Sequence, residues 1–396
     1  MSGSDALTER KLLLTILSLS LCAGRLTAGA DQQSLVIKAG VIWPVTGSAI
    51  TNGLVIIENG KITAAGTNLA VPEGAKILEM PDKQVMPGII DVHCHLGLSL
   101  DVFAEIEETV SAVTPDMQIL DAFNPLAGDV KVALRSGVTT VLLAPGYRNP
   151  IGGQMAAVKV PGGKRDAWVI NRSAGVKFSL GNEPLMSDRR PTSRSGLIAL
   201  VREELNKAGQ YQESKFDTRA EILRRVVQGQ MPVHIYCNAV DEILAAIKLI
   251  DEYKLKAVIV GAREADELAE MLAERNIAVI YMPTILASKD KDLKRVGKIA
   301  AAGVKVAFAS YAPRTNLSDL RTSAVIAARY GLAPELALKG LTINAAEILG
   351  IAQRLGSIEP GKDADLVILS GDPLELTSGV EMVIIDGNIV YQREQK

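Results

Sequence analysis

The middle of the chain alternates apolar strand patterns with amphipathic helix patterns. Near-continuous apolar strands between helices are typical of parallel strands that helices cover on the outside. The strand candidates are Val85–Val92, Val138–Ala144, Ala156–Val160, Gly175–Leu180, Val233–Asn238, Ala257–Gly261, Ile277–Met282 and Val304–Ala309. The helix candidates are Gln118–Ser136, Ser195–Gln228, Asp241–Tyr253, Glu264–Arg275, Lys289–Ala302 and Leu317–Tyr330. Eight strands over roughly 260 residues match a (β/α)8 TIM barrel of the α/β class. An open doubly wound sheet is the alternative, but no glycine-rich phosphate loop follows the first strand.

Short β patterns flank this middle region at both ends of the chain. Asn59-Gly60 and Asp386-Gly387 each stand between two apolar runs and predict hairpin turns. Two β segments at opposite ends of a chain can pair into one small domain around a central insertion. We therefore predict a small β-sandwich from residues 31–86 and 352–396, with the barrel between them at residues 87–351.

The first thirty residues have the pattern of a signal peptide. Arg10 and Lys11 precede an apolar run, Leu12–Ala23, and Ala28-Gly-Ala30 offers a small-residue cleavage site. The run is too short to cross a bilayer comfortably. We predict an exported protein, periplasmic or secreted, with no membrane span after cleavage. The two remaining cysteines, Cys94 and Cys237, fall on different strands and are predicted to be buried free thiols.

The charge of the chain excludes some classes of partner. A formal net charge of −2 and a pI near 6.1 give no basis for binding nucleic acid or an anionic membrane surface. The expected partner is a small-molecule substrate or ligand.

In a (β/α)8 barrel the chemistry sits at the C-terminal ends of the strands. The first strand ends in His93-Cys94-His95, and the period of two places both histidines on the same face. Two imidazoles there can form half of a metal site, or can simply be satisfied by hydrogen bonds. The other strand ends to inspect carry Lys177, His234, Tyr236, Asn238, Val260, Gly261, Ser310 and Tyr311.

Several motifs in order resemble the amidohydrolase superfamily, and within it the imidazolonepropionase-like group. They are Pro87–His95, Gly137–Val141, Pro145–Gln154, Gly175–Pro184, Leu341–Gly350 and Gly356–Val367. The resemblance implies a metal-dependent barrel with a small β-sandwich built from both termini. It also implies two histidines after the first strand, a lysine or glutamate on the fourth, a histidine on each of the fifth and sixth, and an aspartate on the eighth. The metal would lower the pKa of a bound water, and the resulting hydroxide would attack a carbon–nitrogen bond.

Carried over residue by residue, the resemblance makes His93, His95 and Lys177 the candidate metal ligands. Lys177 fits the fourth-strand position, where a lysine can be carboxylated and bridge metals, or can pair with a barrel carboxylate. The expected cofactor is zinc or another divalent metal, as one ion or none.

The other ligand positions depart from the family pattern. The fifth strand carries Tyr236 and Asn238, the sixth ends in Val260-Gly261, and the eighth has Tyr311 in place of the aspartate. His234 should lie ~13 Å below the position of Asn238, which predicts a hydrogen-bonded core histidine. With only three histidines, the chain cannot build a four-histidine metal pair within one subunit.

Two functional hypotheses follow. In the first, the protein hydrolyses non-peptide or dipeptide-like carbon–nitrogen bonds at a reduced metal site, with Tyr311, Glu264 or Asp241 as an improvised base. In the second, the barrel is catalytically inactive and binds a ligand or partners a complete amidohydrolase paralogue. Three substituted strand ends favour atypical or absent catalysis over ordinary hydrolysis, and the resemblance favours a homo-oligomer.

Four residues are candidates for contact with the ligand, namely Asn149, Gln154, Tyr236 and Asn238. In the stretch Asn149–Gln154 a glycine pair either lets the backbone approach a ligand or forms a tight turn.

Overall fold

The computed structural model describes residues 34–98, 106–161, 168–212, 217–283 and 289–394. The predicted signal peptide, residues 1–30, lies outside these ranges. Within the described residues two hydrogen-bonded sheets, one of seven strands and one of eight, organise the fold.

The seven-stranded sheet combines strands from both ends of the chain. Its strands are β1 (Leu35–Ile42), β2 (Ile50–Glu58), β3 (Lys61–Gly66), β4 (Lys76–Pro87), β13 (Leu366–Leu369), β14 (Val380–Ile385) and β15 (Asn388–Gln392). Their order is β15-β14-β13-β4-β1-β2-β3, and β13 pairs antiparallel to β4 with Leu366 opposite Pro87. The terminal β segments therefore pair, as the sequence predicted.

Both predicted hairpin turns occur in this sheet. Asn59 and Gly60 join β2 to β3 with φ of 51° and 76°, and Asp386 and Gly387 join β14 to β15 with φ of 49° and 74°. Positive φ at both central residues suits the right-handed twist of the flanking strands.

The eight-stranded sheet is the barrel. Its strands are β5 (Ile89–Cys94), β6 (Val138–Leu143), β7 (Ile151–Lys159), β8 (Val169–Ser179), β9 (Val233–Cys237), β10 (Ala257–Gly261), β11 (Ala278–Tyr281) and β12 (Val306–Phe308), hydrogen-bonded in that order. Just beyond β12 the Tyr311 N–H donates to His93 O at 3.1 Å, and the His95 N–H donates to Ala312 O at 2.8 Å. These two bonds join the last strand region to the first.

The prediction of parallel strands is wrong for the third barrel strand. β7 runs antiparallel to both β6 and β8. The reason is the connection 144–150, because a parallel return needs a crossover of a dozen or more residues. The reversal puts the first residues of β7 at the end of the barrel where the other strands finish, and Lys159 at the opposite end.

Helices cover the barrel, and most of the predicted ones are shorter or divided. They are α1 (Gly128–Arg135), α2 (Arg194–Gly209), α3 (Thr218–Val227), α4 (Val240–Tyr253), α5 (Ala269–Glu274), α6 (Asp290–Leu293), α7 (Arg295–Ala301), α8 (Asp319–Arg329), α9 (Pro334–Leu341) and α10 (Ile343–Ile348). Short 3-10 turns lie at Ile119–Ala122 and Ala265–Leu268. The candidate 195–228 is thus two helices, and α2 begins where the Ser193 hydroxyl accepts from the Gly196 N–H at 3.2 Å.

None of the helices in the described ranges is long and apolar enough to cross a membrane. Cys94 and Cys237 are free and buried, as predicted.

Candidate functional site

The histidine pair lies at the end of β5 and is buried, with exposed fractions of 0% for His93 and 1% for His95. His95 Nδ1 lies 2.7 Å from Ala144 O. A carbonyl only accepts, so Nδ1 carries the proton and the lone pair is on Nε2, which has no partner among the described residues. Burial lowers the pKa of His95 to about 4. His95 is therefore a neutral imidazole with one free acceptor.

Lys177 projects from β8 against the first histidine. Its Nζ lies 3.3 Å from His93 Nε2, and the side chain is fully buried. No carboxylate in the described part of the chain lies within ion-pair distance of it, so the predicted pairing with a barrel carboxylate is not formed there. Burial lowers the pKa of Lys177 to about 7, and the more distant charges of Glu107 and Glu183 oppose that shift.

Three tyrosines fill the mouth of the barrel. The ring centre of Tyr147 lies 4.4 Å from that of Tyr236 and 6.0 Å from that of Tyr311. Lys177 Nζ lies 4.4 Å from the centre of the Tyr147 ring and 5.4 Å from that of Tyr236. The Tyr147 hydroxyl also lies 3.2 Å from His93 Nε2. That histidine nitrogen therefore has two neighbours within hydrogen-bond distance.

Tyr147 is a site residue that the sequence reasoning missed. It follows the end of β6 by a few residues, so the rule that chemistry sits at strand ends could have found it on the second strand. Asp91 was also missed. Its carboxylate accepts from the Ser310 N–H at 3.1 Å, from the Ser310 hydroxyl and from the His93 N–H at 3.2 Å. Burial raises the pKa of Asp91 to about 6.

The ends of the fifth and sixth barrel strands are packed against each other. Gly261 has φ of +92°, and a Cβ added to it would lie 2.7 Å from Asn238 Oδ1 and 3.1 Å from Tyr236 Cε2. The space for a sixth-strand side chain is therefore taken by the fifth strand. Tyr236 donates its hydroxyl hydrogen to Glu183 at 3.3 Å.

His234 lies deeper in the barrel on β9 and is 1% exposed. Its Nδ1 has no hydrogen-bond partner among the described residues, so the predicted hydrogen bond is not made at that nitrogen. Burial lowers its pKa to about 3. His234 is a neutral core histidine.

Tyr311 occupies the eighth-strand position. Its φ of 57° is left-handed, and its ring centre lies 4.9 Å from that of His93. Its hydroxyl is buried and has no partner among the described residues, and burial raises its pKa well above the usual value near 10. A phenol held in that state is a poor proton acceptor at neutral pH.

The other two candidates for a base have different contacts. Glu264 accepts from the Val240 N–H at 3.0 Å, and so supports the start of α4. Asp241 is exposed on α4 and forms an ion pair with Arg194. Neither carboxylate has a recorded contact with His93, His95 or Lys177.

The side-chain amides of Asn149 and Gln154 both donate hydrogen bonds to other residues of the chain. Asn149 Nδ2 donates to Glu108 O at 2.7 Å and to Thr114 Oγ1 at 3.1 Å. Gln154 Nε2 donates to Pro115 O at 3.0 Å. A Cβ added to Gly153 would lie 2.7 Å from Met117 O. The absence of a side chain at Gly153 therefore lets the backbone of Met117 come close, rather than a ligand. Asn149 and both glycines also line a cavity of about 390 Å³.

The donors at the mouth do not fit a divalent metal. In the described residues, no three His, Cys, Asp or Glu side chains are grouped so that they could hold one. His95 Nε2 is free, but His93 Nε2 faces Lys177 and Tyr147, and His93 Nδ1 is buried without a partner. A protein zinc site needs at least three such donors converging on one point.

The fold and the site together define a class, the hydrolase-type barrels with a terminal β-sheet domain. This chain has the α/β barrel, a histidine pair after the first strand, a lysine on the fourth and a sheet formed by both chain ends. A sequence model described as "Amidohydrolase family" matches residues 203–390. The crystal structure of an amidohydrolase from Thermotoga maritima is 32% identical with a TM-score of 0.85, covering 91% of this chain and 100% of that one. The chain belongs to the amidohydrolase family.

Curated relatives are more distant. Amidohydrolase tasK from Hapsidospora irregularis is 26% identical over 89% of this chain, which spans 41% of that protein's length. A 5-methylthioadenosine/S-adenosylhomocysteine deaminase from Symbiobacterium thermophilum is 26% identical over 91% of this chain and 94% of its own. An imidazolonepropionase from Porphyromonas gingivalis is 26% identical over 85% of this chain and 89% of its own. The family thus includes relatives named for reactions at carbon–nitrogen bonds.

Proposed function

We propose that this protein binds a small polar molecule at the barrel mouth and lacks the metal-activated hydrolysis of carbon–nitrogen bonds. The observation that carries the proposal is the contact of Lys177 and Tyr147 with His93 Nε2. A metal-activated water needs its metal, and Lys177 Nζ and the Tyr147 hydroxyl already lie against the nitrogen that would hold the metal. The side chains at the fifth, sixth and eighth strand ends supply no replacement ligand.

A cavity of about 210 Å³ beside the fifth strand offers a place for the ligand. It is lined by Glu183, Arg194, Asn238 and Arg263, among others. Arg194 is already paired with Glu242 at 3.1 Å, whereas Glu183 and Arg263 form no ion pair with another described residue. A ligand with both a hydrogen-bond donor and an acceptor matches this lining.

The test measures turnover and binding separately. Purified protein, with added zinc and with a chelator, is offered imidazolonepropionate, 5-methylthioadenosine and a dipeptide. We expect no turnover above buffer in either condition, and a ligand-dependent rise in Tm for at least one compound of this polar class. Glu183→Gln, which removes a charge from the cavity, should reduce that rise, and Lys38→Met on the far sheet should not. Zinc-dependent turnover would refute the proposal.

A second candidate function is hydrolysis at a mononuclear metal site. The free Nε2 of His95 favours it, because that nitrogen is a buried acceptor with no partner in the described residues. This candidate requires zinc-stimulated turnover that is lost in His95→Ala. Association with a complete paralogue, or with a second copy of this chain, is a further proposal that size measurements on the pure protein would decide.

We also propose that residues 1–30 direct export of the protein. The basic residues, the apolar run and the small residues before Asp31 support this. The exported form should begin near Asp31 by N-terminal sequencing. Placing arginines at Leu14 and Leu17 should leave the chain uncleaved inside the cell, and cleavage of that variant would argue against export by this segment.

A further inference from the structure

Lys177 is a buried lysine without a carboxylate partner at ion-pair distance in the described part of the chain. Buried ammonium groups in proteins are normally paired, because an isolated charge loses its hydration on burial. The neighbours of Lys177 Nζ are instead a neutral imidazole nitrogen, at 3.3 Å, and two aromatic rings, at 4.4 and 5.4 Å. These neighbours surround Nζ with one hydrogen-bond acceptor and two aromatic faces.

Two of these three neighbours stand where the family resemblance expects metal ligands. His93 belongs to the histidine pair of the first strand, and Tyr236 stands on the fifth strand in place of a histidine. A tyrosine face attracts an ammonium group but donates no lone pair to zinc. The eighth strand departs from the family pattern in the same way. Tyr311 stands there in place of the carboxylate whose charge would balance a divalent ion.

We infer that Lys177 Nζ stands in the place of the metal ion, held against the His93 lone pair and the faces of Tyr147 and Tyr236. This inference rests on the proposed function, but it concerns what occupies the centre of the mouth. It differs from the family role of a fourth-strand lysine, because here Nζ itself fills the metal position and carries no added carboxylate.

The test replaces the amine at residue 177 with a side chain that can bind zinc. Lys177→Glu would place a carboxylate beside His93 and His95, the two-histidine, one-glutamate set found in zinc enzymes. Lys177→Met is the matched control, since it keeps an unbranched side chain one atom shorter and supplies neither a charge nor a carboxylate. Zinc content after dialysis and Tm with and without zinc are measured on all three proteins, in buffer with and without bicarbonate.

We expect near one zinc per chain and a zinc-dependent Tm rise of at least ~2 °C for the Glu variant only. The wild type and the Met variant should hold well under one-tenth of a zinc per chain. A folded Glu variant without zinc would overturn the inference while leaving the proposed function intact. Zinc uptake by the wild type, with bicarbonate or without, would also overturn it, because Lys177 would then be a ligand or a carboxylated bridge.

A buried glutamate could prevent the variant from folding, and Lys177→His then replaces it as the ligand variant with the same expected result. Should neither fold, the wild-type measurement decides, since zinc at one per chain contradicts the inference and its exclusion with and without bicarbonate supports it. The proposed function fails on a different readout, zinc-dependent turnover.

Discussion

Single atoms at the barrel mouth lack hydrogen-bond partners in the described structure. They include His95 Nε2, His93 Nδ1 and the Tyr311 hydroxyl. A buried polar group left unpaired costs about 1–3 kcal/mol. Such costs concentrate at functional sites, where the group has a use that stability does not explain. The mouth of this barrel therefore still has the character of a site, although its donors no longer suit a metal.

The His234→Phe variant should lose less stability in acid than the wild type does. Burial lowers the pKa of His234 from 6.5 to about 3, so between these values the unfolded chain binds the proton and the folded one does not. The stability from the neutral histidine is full above pH 6.5 and is lost as the pH falls towards 3. Between pH 7 and pH 4 the free energy of unfolding should fall by about 3 kcal/mol less in the variant than in the wild type, measured by urea unfolding.

Comparison of each protein with itself at pH 7 removes the effect of the phenylalanine on packing. Identical pH dependence in the two proteins would show that His234 titrates normally in the folded state.

For single residues, the sequence was a better guide to which residues lie at the barrel mouth than to which side chains contact one another there. The strand-end rule pointed to His93, His95, Lys177 and Tyr311, and the side chains of these residues lie close together. It did not reveal that Tyr147 reaches His93, because β7 reverses and the connection 144–150 then folds across the mouth. Contacts between side chains on different strands depend on this path, and no local pattern encodes it.

At the scale of elements, the reversed strand β7 has consequences at both of its ends. Its start brings residues 149–153 to the mouth, and its last residue, Lys159, lies 2% exposed against the seven-stranded sheet. The apolar run 156–160 predicted a strand correctly. Its composition does not depend on the direction of the strand, so it could not show that the strand is antiparallel. Strand direction followed from the length of the preceding connection.

Lys159→Met should strongly destabilise the protein. Lys159 Nζ lies 3.0 Å from Asp363 and 2.9 Å from Asp365, and it also pairs with Asp386. Asp363 keeps Lys61 and Arg354, whereas Asp365 stays buried and would lose the one ion pair that it forms within the described ranges. Removing one partner of a buried pair costs about 3–5 kcal/mol. We expect this loss in the free energy of unfolding at pH 7.5.

The loss should be smaller at pH 5, because burial raises the pKa of Asp365 to about 6 and a protonated carboxyl needs no cation. Lys38→Met is the matched control. It removes a pair with Glu79 whose side chains are 38% and 63% exposed, and should cost less than ~1 kcal/mol. A Lys159 variant as stable as the wild type would mean that relief from burying the ammonium outweighs the lost pairs.

For the whole molecule, the two sheets are joined across their boundary by the C-terminal segment. The Gly88 N–H at the start of the barrel donates to Asp365 O at 2.8 Å. The Arg321 guanidinium on α8 donates to Pro373 O and Glu375 O, each at 2.9 Å. The sequence texture predicted that both termini were β-rich. The register of their pairing through β4 and β13 could not be derived from it, since a register between distant strands leaves no local pattern.

A chain that stops at Ile351 should therefore fail to fold, even though it keeps all eight barrel strands. It lacks β13, the strand between β14 and β4, so the apolar β4 residues Val85 and Met86 would lose their partner strand and become an exposed edge. It also lacks Asp365, and so leaves Lys159 buried without its nearest carboxylates. We expect aggregation on expression, and no cooperative thermal transition in whatever remains soluble. A chain that ends at Arg393 keeps every strand and should melt like the full chain in the same assay. A soluble Ile351 chain with a single sharp transition would mean that the barrel folds alone, and that the terminal sheet is an attachment to it.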